Sequence, residues 1–120
     1  MVRKILIAED EKPLANALNL KLKGAGFDTQ VVYNGDDALS ALKENFYDLL
    51  LVDIMMPKRD GFSVLEELKK IEKAPPAFVM SNLGQDEDIK RAKSLGAKDY
   101  IIKADTPLAE IVKRISAFLK

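Results

Sequence analysis

The stretch Asp48 to Pro57 (DLLLVDIMMP) limits the folds open to this chain more than any other. Leu49 to Val52 form an unbroken apolar run, too short for a globular helix and of the length of a strand buried on both faces. Such strands belong to parallel sheets covered by helices. The run closes on a carboxylate, Asp53, after which Pro57 and the pair Asp60-Gly61 prevent the chain from continuing as strand. Asp53 is therefore predicted at the carboxyl end of a strand, the end that faces the crevice in a sheet of this kind.

The remaining segments supply the neighbours such a strand needs. Val2 to Ala8 form a short apolar strand, followed at once by Glu9, Asp10 and Glu11. Pro13 suits a first helical turn, with Asp10 or Glu11 predicted to cap its amides; Leu14, Leu18 and Leu22 make the apolar stripe, and Gly24 and Gly26 close the helix. Phe27 to Val32 reads as a second strand stopped at Asn34-Gly35, and Ala38, Leu39, Ala41 and Leu42 as the stripe of a short helix reaching about Asn45. After Gly61, the spacing of Phe62, Leu65, Leu68 and Ile71 predicts a third helix, which ends before Pro75-Pro76. Ala77 to Met80 is a fourth strand with Ser81 at its carboxyl end. The helix Asp86 to Leu95 has a thin apolar face, Ile89, Ala92 and Leu95, and is expected to be the least firmly docked. Tyr100 to Ile102 forms a fifth strand ending in Lys103. Leu108, Ile111, Val112, Ile115, Phe118 and Leu119 supply the last helix, with Thr106-Pro107 as cap and first helical position.

Strand and helix thus alternate five times with short connections and no repeat or charge block, which predicts an α/β fold with a parallel sheet covered on both faces. The length, 120 residues, is that of one domain of ordinary size, predicted over residues 1–120, and it excludes a closed eight-stranded barrel, which would need about twice the residues. Lysine and arginine number 19, as do aspartate and glutamate, so no net field favours nucleic acid or an anionic membrane. The N-terminal apolar run meets Glu9-Asp10 before it reaches signal-peptide length, and no run approaches transmembrane length, so a cytoplasmic protein is expected.

Composition also narrows the chemistry. There is no cysteine and no histidine, which removes thiolate catalysis, cysteine-ligated zinc and the commonest general base. Carboxylates, hydroxyls and amines remain, and the predicted strand ends gather them: Glu9 and Asp10, Asp53, Ser81 and Lys103. Three carboxylates with a hydroxyl and an ammonium suit phosphate handled through a hard cation. Glu9, Asp10 and Asp53 offer oxygen ligands of the kind magnesium takes. Asp53 is also a candidate nucleophile toward phosphorus. Lys103 would neutralise phosphoryl charge, and Ser81 could donate a hydrogen bond to it. Taken singly, Asp53 reads as a turn residue, Glu9-Asp10 as a solvated helix start, Lys103 as a surface lysine, Ser81 as a turn hydroxyl and Tyr100 as a half-buried strand aromatic. Their common placement at strand ends, in order, separates them from those readings.

With these residues the chain resembles the receiver domain of two-component response regulators over its whole length. The family pattern has an acidic pair after the first strand (Glu9-Asp10), a phosphoacceptor after the third (Asp53), and a proline and a glycine four and eight residues on (Pro57, Gly61). It continues with a hydroxyl after the fourth strand (Ser81) and a lysine after the fifth (Lys103), with an aromatic switch residue three positions earlier (Tyr100). The resemblance implies a doubly wound, flavodoxin-like sheet of order 2-1-3-4-5, catalytic roles for Asp53, Ser81 and Lys103, and magnesium held by Glu9, Asp10, Asp53 and Met55. It implies a switch through Ser81 and Tyr100 in which motion at Ser81 vacates space for the Tyr100 ring and repacks the helix Asp86 to Leu95. The partners implied are a sensor histidine kinase or phosphotransfer protein, and a downstream protein or output domain meeting the face around Asp86 to Lys120. A phosphorylation-dependent dimer is among the forms it allows. The pattern is departed from where Ala104 replaces the usual proline, where Asn82 replaces a smaller residue, and where the acidic pair is Glu-Asp.

Three other readings stand beside this one. An aspartate-nucleophile phosphatase wants a second aspartate two residues after the nucleophile, where this chain has Met55, and a flavodoxin-like cofactor binder wants a phosphate-cradling loop where Glu9, Asp10 and Glu11 would repel phosphate. The third is a degenerate receiver that acts as a protein-interaction module without phosphorylation. Any enzyme activity is expected to be limited to self-phosphorylation and slow self-dephosphorylation.

Overall fold

Apolar runs of four or five residues pair side by side in the computed structural model, which describes residues 2–120. In chain order the elements are β1 (Lys4–Ala8), α1 (Lys12–Gly24), β2 (Asp28–Val32), α2 (Gly35–Glu44), β3 (Leu49–Asp53), α3 (Gly61–Leu68), β4 (Ala77–Ser81), α4 (Asp86–Ser94), β5 (Asp99–Ile102) and α5 (Leu108–Phe118). A single 3-10 turn, Lys103–Asp105, joins β5 to α5. All pairings are parallel and the order is β2-β1-β3-β4-β5, as the alternation and the resemblance predict. No described helix is long and apolar enough to cross a membrane.

Successive residues of a strand point to opposite faces, and that alternation divides the core in two. Ile5, Ile7, Leu49, Leu51, Phe78, Met80 and Ile101 face one way and pack on Leu18 and Leu22 of α1 and on Ile111 and Ile115 of α5. Leu6, Leu50, Val52, Val79 and Tyr100 face the other way, toward Leu39 and Leu42 of α2, Phe62 and Leu65 of α3, and Ala92 of α4. Every residue of β3 and of β4 is buried, whereas β2 at the sheet edge has none fully buried. The stripe on α4 is as thin as its sequence suggests: Ala92 is its one buried residue.

Several local expectations are corrected. Glu11 occupies the N-cap of α1 without a side-chain hydrogen bond, and no carboxylate caps that helix. The Glu9 Oε2 atom instead accepts from the Glu11 amide at 3.0 Å, so the acid turns back toward the strand end. Asn34 is the cap of α2, its Oδ1 accepting from the Asp37 amide at 2.8 Å, and Asp60 caps α3 through the Ser63 amide at 2.8 Å. The third helix ends at Leu68, and Ile71 packs from the following turn rather than from a further helical turn. Pro107, not Thr106, stands at the cap of α5, and no side chain caps it. Phe118 is not core; it is partly exposed, with its ring edge-on to Phe78 at 5.0 Å between centroids.

Two glycines mark close approaches around the carboxyl end of β3. A Cβ on Gly61 would lie 2.4 Å from the Asp53 carbonyl oxygen, and one on Gly35 would lie 2.1 Å from that of Arg59. The loop leaving Asp53 is therefore pressed between its own strand and the start of α2.

Candidate functional site

The site lies where the strands run out. Asp53 is the last residue of β3, and Glu9 follows β1 directly, its amide still held by the Val32 carbonyl at 3.0 Å. Lys103 opens the turn that follows β5. Counting in twos from the inward residues of each strand, Glu9, Asp53 and Lys103 all continue the row facing α1 and α5. Ser81 continues the opposite row, the one containing Tyr100, toward α4. Strand alternation thus sorts the polar residues into an acid–lysine group and a hydroxyl–aromatic group on either side of the sheet edge.

The first group makes direct contact. Lys103 Nζ donates to Asp53 Oδ2 at 2.8 Å, lies 2.6 Å from Glu9 Oε1, and lies 3.7 Å from Glu11 Oε1. Carboxylate oxygens of Glu9, Asp10 and Asp53 all lie within 4.8 Å of one another. Glu9 and Asp53 are buried, while Asp10 is half-exposed at the rim. The second oxygen of Asp53 accepts from the Met55 amide at 3.3 Å. Glu9 Oε1 is close enough to Lys103 to pair electrostatically but lacks hydrogen-bond geometry, leaving it without a hydrogen-bond partner.

Burial is the dominant influence on these charges. It raises the Glu9 carboxyl to about 7; Lys103 and the Glu11 amide pull it down, and the Asp53 charge adds to the rise. Burial likewise holds the Asp53 carboxyl above its ordinary value despite Lys103. Burial opposes the charge on Lys103, yet Asp53 and Glu9 outweigh it and hold the ammonium above its usual value. One buried ammonium among so many acids leaves the cluster short of positive charge. Hard oxygen donors at this spacing, one of them unpartnered, fit a magnesium ion.

The second group is joined through one residue of backbone. Ser81 Oγ accepts from the Leu83 amide at 3.0 Å, and Tyr100 donates its hydroxyl proton to the Leu83 carbonyl at 2.6 Å. Tyr100 is buried. The resemblance implies that motion at Ser81 vacates space for this ring; in this structure the ring packs among the residues facing α4, and the Leu83 carbonyl holds its hydroxyl.

A crevice of about 810 Å³ opens over both groups, lined by Asp53, Ser81 and Lys103 together with Asn82, Met55 and Arg91. Met55 is 62% exposed and its thioether is no ligand for a hard cation, so only its backbone carbonyl could serve. Ala104 is accommodated without a cis bond, none occurring among the described residues, and the 3-10 turn carries the chain onward instead. Sequence reasoning did not single out Glu11 as a Lys103 contact, Leu83 as the shared backbone partner, or Arg91 as a crevice residue. The acidic run Glu9-Asp10-Glu11 was a signal for the first; nothing local to Leu83 or Arg91 marks the other two.

Comparison with known proteins gives a consistent result. Residues 5–116 match the family model of the response regulator receiver domain. Among solved structures, the Francisella response regulator 1452 receiver domain is 32% identical with a TM-score of 0.91, the alignment covering 98% of this chain and 96% of that one. The BeF3-activated N-terminal receiver domain of Klebsiella pneumoniae RstA is 29% identical with a TM-score of 0.89, covering 98% and 99% respectively. The phosphorylated cyanobacterial phytochrome response regulator RcpA is 28% identical with a TM-score of 0.87, covering 99% and 94%.

Proposed function

Because this chain belongs to the response regulator receiver family, we propose that it takes up a phosphoryl group on Asp53 and that the new charge alters the surface formed by α4, β5 and α5. The observation that supports this most directly is the contact of Lys103 with Asp53 at 2.8 Å beside the Glu9 and Asp10 carboxylates. The donor would be a phosphohistidine on a kinase or phosphotransfer protein, or a small acyl phosphate. Glu9, Asp10 and Asp53, with the Met55 carbonyl, would hold magnesium, which when bound offsets the charge of the transferred phosphoryl oxygens.

The residues of the chain have separable tasks in this scheme. An Asp53 carboxylate oxygen attacks phosphorus, the bond from phosphorus to the donor nitrogen or oxygen breaks, and its electron pair leaves with the donor. Lys103 exchanges its contact with Asp53 for one with a phosphoryl oxygen. Ser81 Oγ accepts a hydrogen bond from the Leu83 amide, so its own proton is available to donate to another phosphoryl oxygen. A Ser81 drawn inward releases the Leu83 amide, and Leu83 also holds the Tyr100 hydroxyl. The loop between β4 and α4 then shifts, and α4, whose one buried residue is Ala92, follows it.

Intact mass after incubation with acetyl phosphate and magnesium tests the scheme. Wild type is expected to gain one phosphoryl group and Asp53→Asn none; equal masses before and after for wild type would remove the proposal. The burial of Tyr100 favours a second reading, a module whose α4–β5 surface is set without phosphorylation. That reading requires partner affinity to be the same for wild type and Asp53→Asn under phosphorylating conditions.

A further inference from the structure

Arg91 projects from α4 into the wall of the crevice that also holds Asp53 and Lys103. Four lining residues, Asp10, Glu11, Asp53 and Asp60, are acids, and among the described lining residues only Arg91 and Lys103 are cations. Lys103 is committed to the acids, at 2.6 Å from Glu9, 2.8 Å from Asp53 and 3.7 Å from Glu11. Even a bound divalent ion leaves four carboxylates facing three positive charges, so an approaching phosphoryl dianion meets repulsion unless the opposite wall supplies a cation.

The Arg91 guanidinium is set up for that part. Its Cζ lies 4.1 Å above the centre of the Phe62 ring, a buried residue at the start of α3. Stacking on an aromatic face restrains the plane of the guanidinium while leaving its N–H edge free to donate, the geometry that pairs with phosphoryl oxygens. Its neighbour Ala92 is the one buried residue of α4, so Arg91 stands beside the best-fixed point of that helix. The ion pair it makes, with Glu66 Oε1 at 3.9 Å, joins side chains 57% and 56% exposed and is weak enough to be given up.

We infer that Arg91 recruits small acyl phosphates to the crevice, its guanidinium meeting the phosphoryl oxygens of the donor before transfer to Asp53. This rests on the reading of Asp53 as acceptor. The residue acts on capture and not on the later loss of the group, because water, the attacking species in hydrolysis, carries no charge to attract.

Initial rates of labelling by acetyl phosphate, in saturating magnesium, test it with wild type, Arg91→Ala, Arg91→Lys and Glu66→Lys. Arg91→Ala is expected to label about tenfold more slowly, within the range by which charge steers association. Arg91→Lys should recover part of the rate. Glu66→Lys, which replaces the counter-charge of Arg91 with a cation, should label faster than wild type. Added potassium chloride should slow wild type more than Arg91→Ala, and the decay of the labelled proteins should be alike. Equal labelling rates for wild type and Arg91→Ala, or slower labelling by Glu66→Lys, overturn the role of Arg91 and leave Asp53 untouched. Absence of labelling in wild type overturns the acceptor reading and this one with it.

Discussion

The Lys103 ammonium stands 2.8 Å from the Oδ2 atom of Asp53, a residue 50 positions earlier in the chain. The contact exists because β3 and β5 lie on either side of β4 and end at the same edge of the sheet. It leaves a buried lysine as the common counter-ion of several acids.

Relief of that crowding should register as stability. In metal-free buffer, Asp53→Asn removes one buried charge while Lys103 keeps Glu9 at 2.6 Å, and is expected to raise the melting temperature by about 2–6 °C, the shift produced by roughly 1 kcal/mol in a chain of this size. Magnesium at ten times its dissociation constant should stabilise wild type by about 1.4 kcal/mol. Thermal unfolding monitored by circular dichroism checks both; a lower melting temperature for Asp53→Asn would show that the acids are adequately paired without it.

The pH dependence has a definite sign. Burial places Glu9 at about 7 in the folded protein against an ordinary value of 4.5, and Asp53 is shifted in the same direction. Between those values the folded state holds more protons than the unfolded one, so the stability contributed is present at low pH and lost as pH rises through about 7. Urea denaturation without metal should therefore give a higher midpoint at pH 5.5 than at pH 8, with Glu9→Gln reducing the difference. A midpoint that rises over this window in the wild type would contradict the assignment.

Two glycines should respond oppositely to alanine. Gly24 ends α1 with nothing within 4 Å of a Cβ built there, so Gly24→Ala is expected to stabilise by about 0.5–1 kcal/mol. Gly35→Ala would drive its methyl to within 2.1 Å of the Arg59 carbonyl and is expected to cost about 1–3 kcal/mol. Chemical denaturation of the pair reads the difference, and similar midpoints would mean that the contact with Arg59 yields freely.

Tyr100→Phe removes the hydroxyl that donates to the Leu83 carbonyl at 2.6 Å and leaves the ring in place. The loss of about 0.5–1.5 kcal/mol should fall on the β4–α4 connection and α4, where amide exchange is expected to speed up by roughly 2–12-fold. Exchange in α1 and β1 serves as the internal reference. Unchanged protection in α4 would show that the ring, not the hydroxyl, holds that segment.

The elements that sequence pattern identified are those whose signals are local. Leu49 to Val52 is apolar at every position, so it reads as a two-sided buried strand, and Asp60-Gly61 stops it in the same way in any context. The order of Glu9, Asp53, Ser81 and Lys103 along the chain becomes proximity because each ends or follows a parallel strand. What sequence did not disclose depends on how elements cross. Ile71 keeps helical spacing with Leu68, but the chain has already left α3, and its amide bonds back three residues to the Leu68 carbonyl. The stacking of Arg91 on Phe62 needs α4 to lie beside α3, which no pattern within either helix dictates. The buried Tyr100 finds the partner for its hydroxyl in a carbonyl 17 positions away, which no local pattern marks.

Asp53 closes a strand without a single exposed residue, flanked in register by β1 and β4, and retreat is closed to it. A bulky anion added there has to be accommodated by whatever surrounds the strand. On the face away from α1, α4 is held by one buried residue, Ala92, with Ile89 and Leu95 only partly buried beside it, so the proposed addition would meet least resistance there. Stiffness at the centre would thus give the proposed response its direction.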